Sequence, residues 1–179
     1  MERAEAMLAG RAPGTLGHPA ALWGGLAEVA DRTAFVAAFS NSAVVETDDG
    51  LVIVDTSGRE MAGMVHEATR AWSTAPTHTV VFTHGHIDHV FGVDLHEADN
   101  ERTGAPAPVV IGHEAIAQRF DRYIQTAGYN GIINGRQFSI PDYQWPLEWR
   151  YPDVTYHDHL DLHVGGERFE LHHARGETD

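Results

Sequence analysis

The residue types best suited to chemistry lie together in His84-Gly85-His86-Ile87-Asp88-His89. Three imidazoles and one carboxylate in six residues are a ligand set for divalent cations, zinc first and also iron or manganese. His84 and His86, two apart on an extended loop, can turn to the same side and share one ion. Asp88 and His89, at the start of a short helix, then face a second position. In binuclear hydrolases two such ions lie about 3.5–4 Å apart and turn water into a nucleophile near neutral pH. Two histidines at this spacing are often one face of a strand, and an Asp-His pair is often a helix cap. Four ligand types in one loop directly after a buried strand are more than either reading explains.

That loop needs elements to hold it. Leu51–Asp55 and His78–Phe82 are nearly all apolar, the pattern of strands covered on both faces. The His loop leaves the carboxyl end of the second, where α/β proteins bind ligands. Asp55 closes the first and is placed either to orient a ligand imidazole or simply to form a turn. Thr33–Phe39 and Ser42–Thr47 read as earlier strands, with Asp48-Asp49-Gly50 as the hairpin turn. Residues 59–74 predict a helix with Met61, Met64, Val65, Ala68 and Trp72 on one stripe. A short helix over 89–98, a strand over Pro108–Gly112 and a helix over Glu114–Ala127 follow. Residues 128–152, rich in Gly, Asn and aromatics, read as loop, and Leu160–Val164, Gly165-Gly166 and Arg168–His173 as a closing hairpin. Residues 1–30 read as a loose arm, and 31–179 as one α/β domain.

Composition narrows the chemistry. The 179 residues contain 13 histidines and no cysteine, which excludes disulfides, thiolate metal sites and thiol nucleophiles. The net charge of −14 disfavours nucleic acid as a partner. No apolar run is long enough to span a membrane. The charged start Met1–Ala6 lacks the apolar run of a signal peptide, so the expected location is cytoplasmic. There is no phosphate loop, no Gly-x-Ser-x-Gly and no dinucleotide fingerprint. His157, Asp158, His159, Asp161 and His163 form a second His-Asp run, but its period of two is that of an exposed strand face. Tyr129, Asn130 and Arg136 are candidates for touching an anionic substrate group, or belong to an ordered surface loop.

Thr83–His89 resembles the His-x-His-x-Asp-His signature of the metallo-β-lactamase superfamily. Asn41-Ser42, Val44–Thr47, Gly50 and Val52–Thr56 are similar to the opening strands of that αββα fold, and the likeness covers roughly residues 28–179. Its third motif is a strand ending in Pro-Gly-His-Thr. Here Leu171–Thr178 has Arg175 in place of the Pro and Glu177 in place of the ligand His, as in the alkyl-sulfatase-like branch. The resemblance implies His84, His86 and Glu177 around a first metal, with His173 or His172 as alternatives to Glu177. It implies Asp88 and His89 around a second, with Asp88 also orienting the water. The implied activity is metal-dependent hydrolysis of an ester-type substrate, a sulfate ester among the candidates. Lactonase, thioesterase and β-lactamase activities belong to the same set. Two other classes remain: an iron-dependent oxidoreductase of the same fold, persulfide-dioxygenase-like, and a non-catalytic metal-binding half-domain.

The superfamily fold packs two βα halves sheet to sheet. The resemblance implies that this chain holds the first half plus an edge hairpin, incomplete at its carboxyl end. The second half normally brings a metal-bridging carboxylate and a last His. A second polypeptide supplying that half, or a homo-oligomer, is therefore the expected partner. The sheet face with Val52, Val54, Val80 and Phe82 is expected to lack a covering layer.

Overall fold

The computed structural model describes residues 23–176. A seven-stranded sheet runs in the order β1 (Trp23–Ala30), β2 (Thr33–Ala38), β3 (Ser42–Thr47), β4 (Gly50–Val54), β5 (Thr77–Phe82), β6 (Val109–His113) and β7 (Val154–Tyr156). The first four strands are an antiparallel meander, and β4 to β7 are parallel. The crossovers carry α1 (Ala62–Trp72), α2 (Val93–Thr103), α3 (Ala115–Gln125) and α4 (Ala127–Gln137). A separate hairpin pairs β8 (His159–Val164) with β9 (Glu167–His172). Among the described residues, no helix is long and apolar enough to cross a membrane.

The two faces of the sheet bury different layers. Leu51, Ile53, Val80, Phe82 and Val110 lie under the helices with Val65, Val93, Ile116 and Phe120. Val52, Val81 and Ile111 lie under the hairpin with Val164, Leu160, Leu162, Phe169 and Leu171. Each fully buried Phe or Leu removes enough apolar surface to contribute about 1.5–3 kcal/mol. This corrects the expected uncovered face. Val54 pairs with Val81, and Ile53 with Val80, so Val52 and Val54 face opposite to Val80 and Phe82. The hairpin-side face is left partly open at both ends, at β2, where Phe35 is 38% exposed, and at β6 and β7, where Val109 and Val154 are 38% and 39% exposed.

Other departures have local causes. Residues 23–30, read as arm, form β1, because backbone pairing with β2 overrides the Gly24-Gly25 signal; residues 1–22 lie outside the described part. Met64 is exposed and Thr69 buried in α1, so the buried stripe runs through Met61, Val65 and Thr69. Residues 127–137 are helical despite three glycines and two asparagines. Gly131 explains part of this: a Cβ there would sit 2.9 Å from the Tyr143 carbonyl oxygen, so glycine lets segment 138–145 lie against the helix. Trp149 then stacks on Phe120 at 4.7 Å and on Tyr123 at 5.3 Å, anchoring the rest of that segment.

Candidate metal centre

The His loop hangs between two fixed points. β5 ends at Phe82, and the chain rejoins regular structure where Val90 bridges Ser57 and the Phe91 N–H donates to the Ser57 carbonyl. Gly92 follows with φ 115°, and a Cβ there would meet the Thr56 carbonyl oxygen at 2.8 Å. Only glycine fits this turn, so α2 begins at Val93 rather than at 89. Asp88 and His89 therefore sit in a turn, not on a helix.

Asp55 organises the cluster. It lies just past β4 with φ 57°, a left-handed conformation that costs a non-glycine residue energy and persists where the surroundings hold it. Asp55 is 5% exposed, and its carboxylate accepts three hydrogen bonds: Thr83 N–H at 2.8 Å, Thr83 Oγ1 at 2.6 Å and His89 Nδ1 at 2.7 Å. Those bonds compensate the burial of the charge. Because His89 Nδ1 donates to Asp55, its Nε2 carries the lone pair, 3.6 Å from an Asp88 carboxylate oxygen. Thr83 extends the control. Its hydroxyl proton goes to Asp55, so its oxygen accepts from His84 Nδ1 at 3.0 Å, which leaves His84 Nε2 in the ligating form. The role of Thr83 was not read from the sequence; the signal was a hydroxyl directly before the first His.

The three imidazoles converge. The His84 ring centroid is 4.6 Å from that of His86 and 4.2 Å from that of His89. Asp55, His84 and His89 each bring a ligand atom to within 4.8 Å of the others. His86 and Asp88 line a cleft of about 480 Å³ with Phe39, Met61, Trp145 and Asn130. His84 lines a second cleft, with His113 and His173. Thus His84 and His86 touch through their rings, and each also borders a different cavity. The donor set fits a divalent cation: three imidazoles, two of them with Nδ1 engaged and Nε2 turned to the cluster, beside a carboxylate.

Other expected residues are placed as follows. His173 stacks against His113 at 4.1 Å, and its Nε2 is buried without a hydrogen-bond partner. His172 points to the outer face of the hairpin and is exposed. Asn130 lines the His86–Asp88 cleft, whereas Arg136 lines a neighbouring one and Tyr129 is 68% exposed. Glu177 lies outside the described residues.

Comparison with known proteins agrees with this architecture. Residues 36–179 match the family described as the metallo-beta-lactamase superfamily. No curated protein matches the sequence significantly. Among solved structures, a stereoselective inverting sec-alkylsulfatase, Pisa1 from Pseudomonas sp., superposes with TM-score 0.66 at 19% identity, over 89% of this chain and 29% of that one. A metallo-beta-lactamase mutant from Cronobacter sakazakii gives 0.57 at 17%, over 81% and 52%. BJP-1, a subclass B3 metallo-beta-lactamase of Bradyrhizobium japonicum, gives 0.55 at 18%, over 80% and 49%. The chain spans about half or less of the length of these structures. On the match across most of its length, the chain belongs to the metallo-beta-lactamase superfamily.

Proposed function

We propose that this chain is the first half of a metal-dependent hydrolase acting on an ester-type substrate, a sulfate ester being the leading candidate. One observation carries the reading: Asp55 sets the tautomers of His84 and His89 at the edge of a cleft. Zinc is the expected ion, held by His84, His86 and Glu177 at a first position and by Asp88 and His89 at a second. When bound, it supplies Lewis-acid activation of water.

The chain's own residues do the rest. Asp55 and Thr83 hold the imidazoles in their ligating form. Asp88, next to His89 and bordering the cleft, orients the attacking water. Phe39, Met61, Phe138 and Trp145 offer an apolar wall for the alkyl body of a substrate, and Asn130, Asn134 and Gln137 offer amides. No Arg or Lys lines that cleft among the described residues, and Glu60 does. An anionic substrate group is therefore left to the cation rather than to a guanidinium of this chain.

We also propose that a second polypeptide or a second copy completes the fold. Phe35, at one open end of the hairpin-side face, offers apolar surface against which further strands would pack.

The test measures metal content, native mass and hydrolysis of a panel of sec-alkyl sulfates and carboxylic esters, for the natural assembly and its His86→Ala variant. The expected result is stoichiometric zinc and hydrolysis lost by at least a hundredfold in the variant, since removing a metal ligand or its support costs on this order. Unchanged turnover in His86→Ala overturns the proposal, as does stoichiometric iron with oxygen consumption.

A further inference from the structure

We propose that His159, Glu170 and His172, on the outer face of the β8–β9 hairpin, form a separate site for a zinc-like divalent cation. The hairpin register sets His159 directly opposite His172 and Asp161 opposite Glu170. Glu170 and His172, two apart on one strand, share that face. The three residues each offer a ligand atom, all within 4.8 Å of one another. His172 Nε2 lies 3.1 Å from Glu170 Oε2, and the two imidazole rings are 4.7 Å apart at 32°. Zinc with bonds of about 2.0–2.1 Å needs tetrahedral ligand atoms about 3.3 Å apart. Two imidazoles and a carboxylate are borderline ligands, suited to zinc, nickel or copper(II) rather than calcium or magnesium.

The site rests on rigid backbone. Leu160, Leu162, Phe169 and Leu171 pack on the inner face, around buried Val164. The turn is tied to the main sheet, because Gly165 N–H donates to Asp49 at 2.9 Å and Asp48 N–H to the Gly165 carbonyl at 3.3 Å. Arg168 donates to Asp161 Oδ1 at 2.8 Å and pairs with Glu170 Oε1, so it holds the carboxylates while leaving Glu170 Oε2 toward His172. The three ligand side chains are 41–61% exposed, which leaves the fourth position to water. The sequence grouped His157, His159 and His163 along one strand. In the structure His157 pairs with Glu114 and His163 stands opposite Arg168, while His159 lies 3.6 Å from Asp161 on its own strand and against the His172 ring on the other.

Position suggests the role. His159 opens β8 and His172 closes β9, so a cation here clamps the open end of the hairpin. The next backbone bond is His173 N–H to the Asp158 carbonyl at 2.8 Å, and the chain then runs on toward Glu177. Clamping this end orders the strand that feeds that segment.

The full chain is titrated with zinc alone, beside a His159→Gln/His172→Gln variant and a His84→Gln/His86→Gln variant. Bound zinc is counted by elemental analysis after dialysis, and amide hydrogen exchange is read across β8 and β9. The expected result is one zinc equivalent lost from the hairpin variant and that same equivalent kept by the loop variant. Zinc is also expected to protect the hairpin amides in the wild type and the loop variant, and not in the hairpin variant. Equal stoichiometry in the wild type and the hairpin variant overturns the proposal. So does zinc that leaves hairpin exchange unchanged. Loss confined to the loop variant overturns it too, while leaving the loop's own role intact. The hairpin substitutions are at exposed positions, and far-UV circular dichroism is recorded alongside to check that they leave the fold in place.

Discussion

The loop cluster and the hairpin cluster are built from the same side chains on opposite principles. At the loop, His84 and His89 are backed by a buried carboxylate and a hydroxyl that fix which nitrogen faces outward. At the hairpin, His159 and His172 are placed by strand register beside exposed acids of their own strands, with Arg168 steadying those acids at the surface. The first arrangement fixes which ring nitrogen is free before a ligand arrives; the second fixes only position. Preorganisation of the first kind is what catalysis requires, because orienting groups during the reaction would add to its barrier. The second kind is enough to bind and to clamp.

The largest expected break in this comparison comes from Asp55→Asn. The amide keeps one acceptor for Thr83 N–H but turns its NH₂ toward Thr83 Oγ1 and His89 Nδ1. His89 must then move its proton to Nε2, the nitrogen meant for metal. Metal affinity at the loop should fall about 10–100-fold, with about 1–3 kcal/mol of stability lost to mismatched buried groups. Zinc titration and urea unfolding measure both. Uptake at the hairpin should not change. If loop affinity survives Asp55→Asn, the tautomer argument fails and the two clusters are alike.

How far these differences were legible depends on chain distance. His84, His86, Asp88 and His89 stood out because all four lie in one loop after an apolar strand. The β4 and β5 strands and the Gly165-Gly166 hairpin were equally plain, since their periods and turn residues are local. What escaped were pairings between distant segments. Nothing near Glu170 or His172 announces His159 across the hairpin, and nothing near Thr83 announces that Asp55 takes its hydroxyl proton. The α4 helix was missed because its Gly and Asn content argues for loop, while packing of Gly131 against Tyr143 decides for helix. The placement of Val80 and Phe82 on the face opposite Val52 needed the parallel register, which periodicity along one strand does not contain.

A third histidine takes the comparison to full burial. His96 is 2% exposed, with its Nδ1 3.0 Å from Thr77 Oγ1 and its ring against His66. Burial above all, then the nearby charges of His66 and Arg70, pull its pKa from 6.5 down to about 3, against the opposing pull of Asp99. In the unfolded chain the same group takes up a proton below about pH 6.5. The folded state does not, so the stability tied to neutral His96 is whole above pH 6.5 and drains as pH falls toward 3. Between pH 7 and pH 5 this loss should be about 2 kcal/mol. His96→Asn, which can still meet Thr77 but does not titrate, should flatten that slope in urea unfolding at the two pH values. A wild-type slope unchanged by the substitution would mean that His96 is protonated in the fold, and that burial does not hold an imidazole neutral here against the pull of Asp99.

The finest test separates Thr83 from Asp55. Thr83→Val keeps the shape and the backbone N–H donated to Asp55, and removes only the hydroxyl between Asp55 and His84. Asp55 still accepts from His89, so no buried charge is stranded. The expected stability loss is about 1 kcal/mol, the usual net value of one hydrogen bond. Metal affinity should fall less than in Asp55→Asn, because only His84 loses its fixed tautomer, and Thr83→Ser should restore it by returning the hydroxyl. Nitrogen-15 shifts of the His84 ring report the tautomer directly: a single Nδ1–H form in the wild type and in Thr83→Ser, and a mixture in Thr83→Val. If all three spectra show the same form, His84 is set by something other than its neighbour's hydroxyl. The loop would then resemble the hairpin at that position, with an imidazole held in place but not in protonation state.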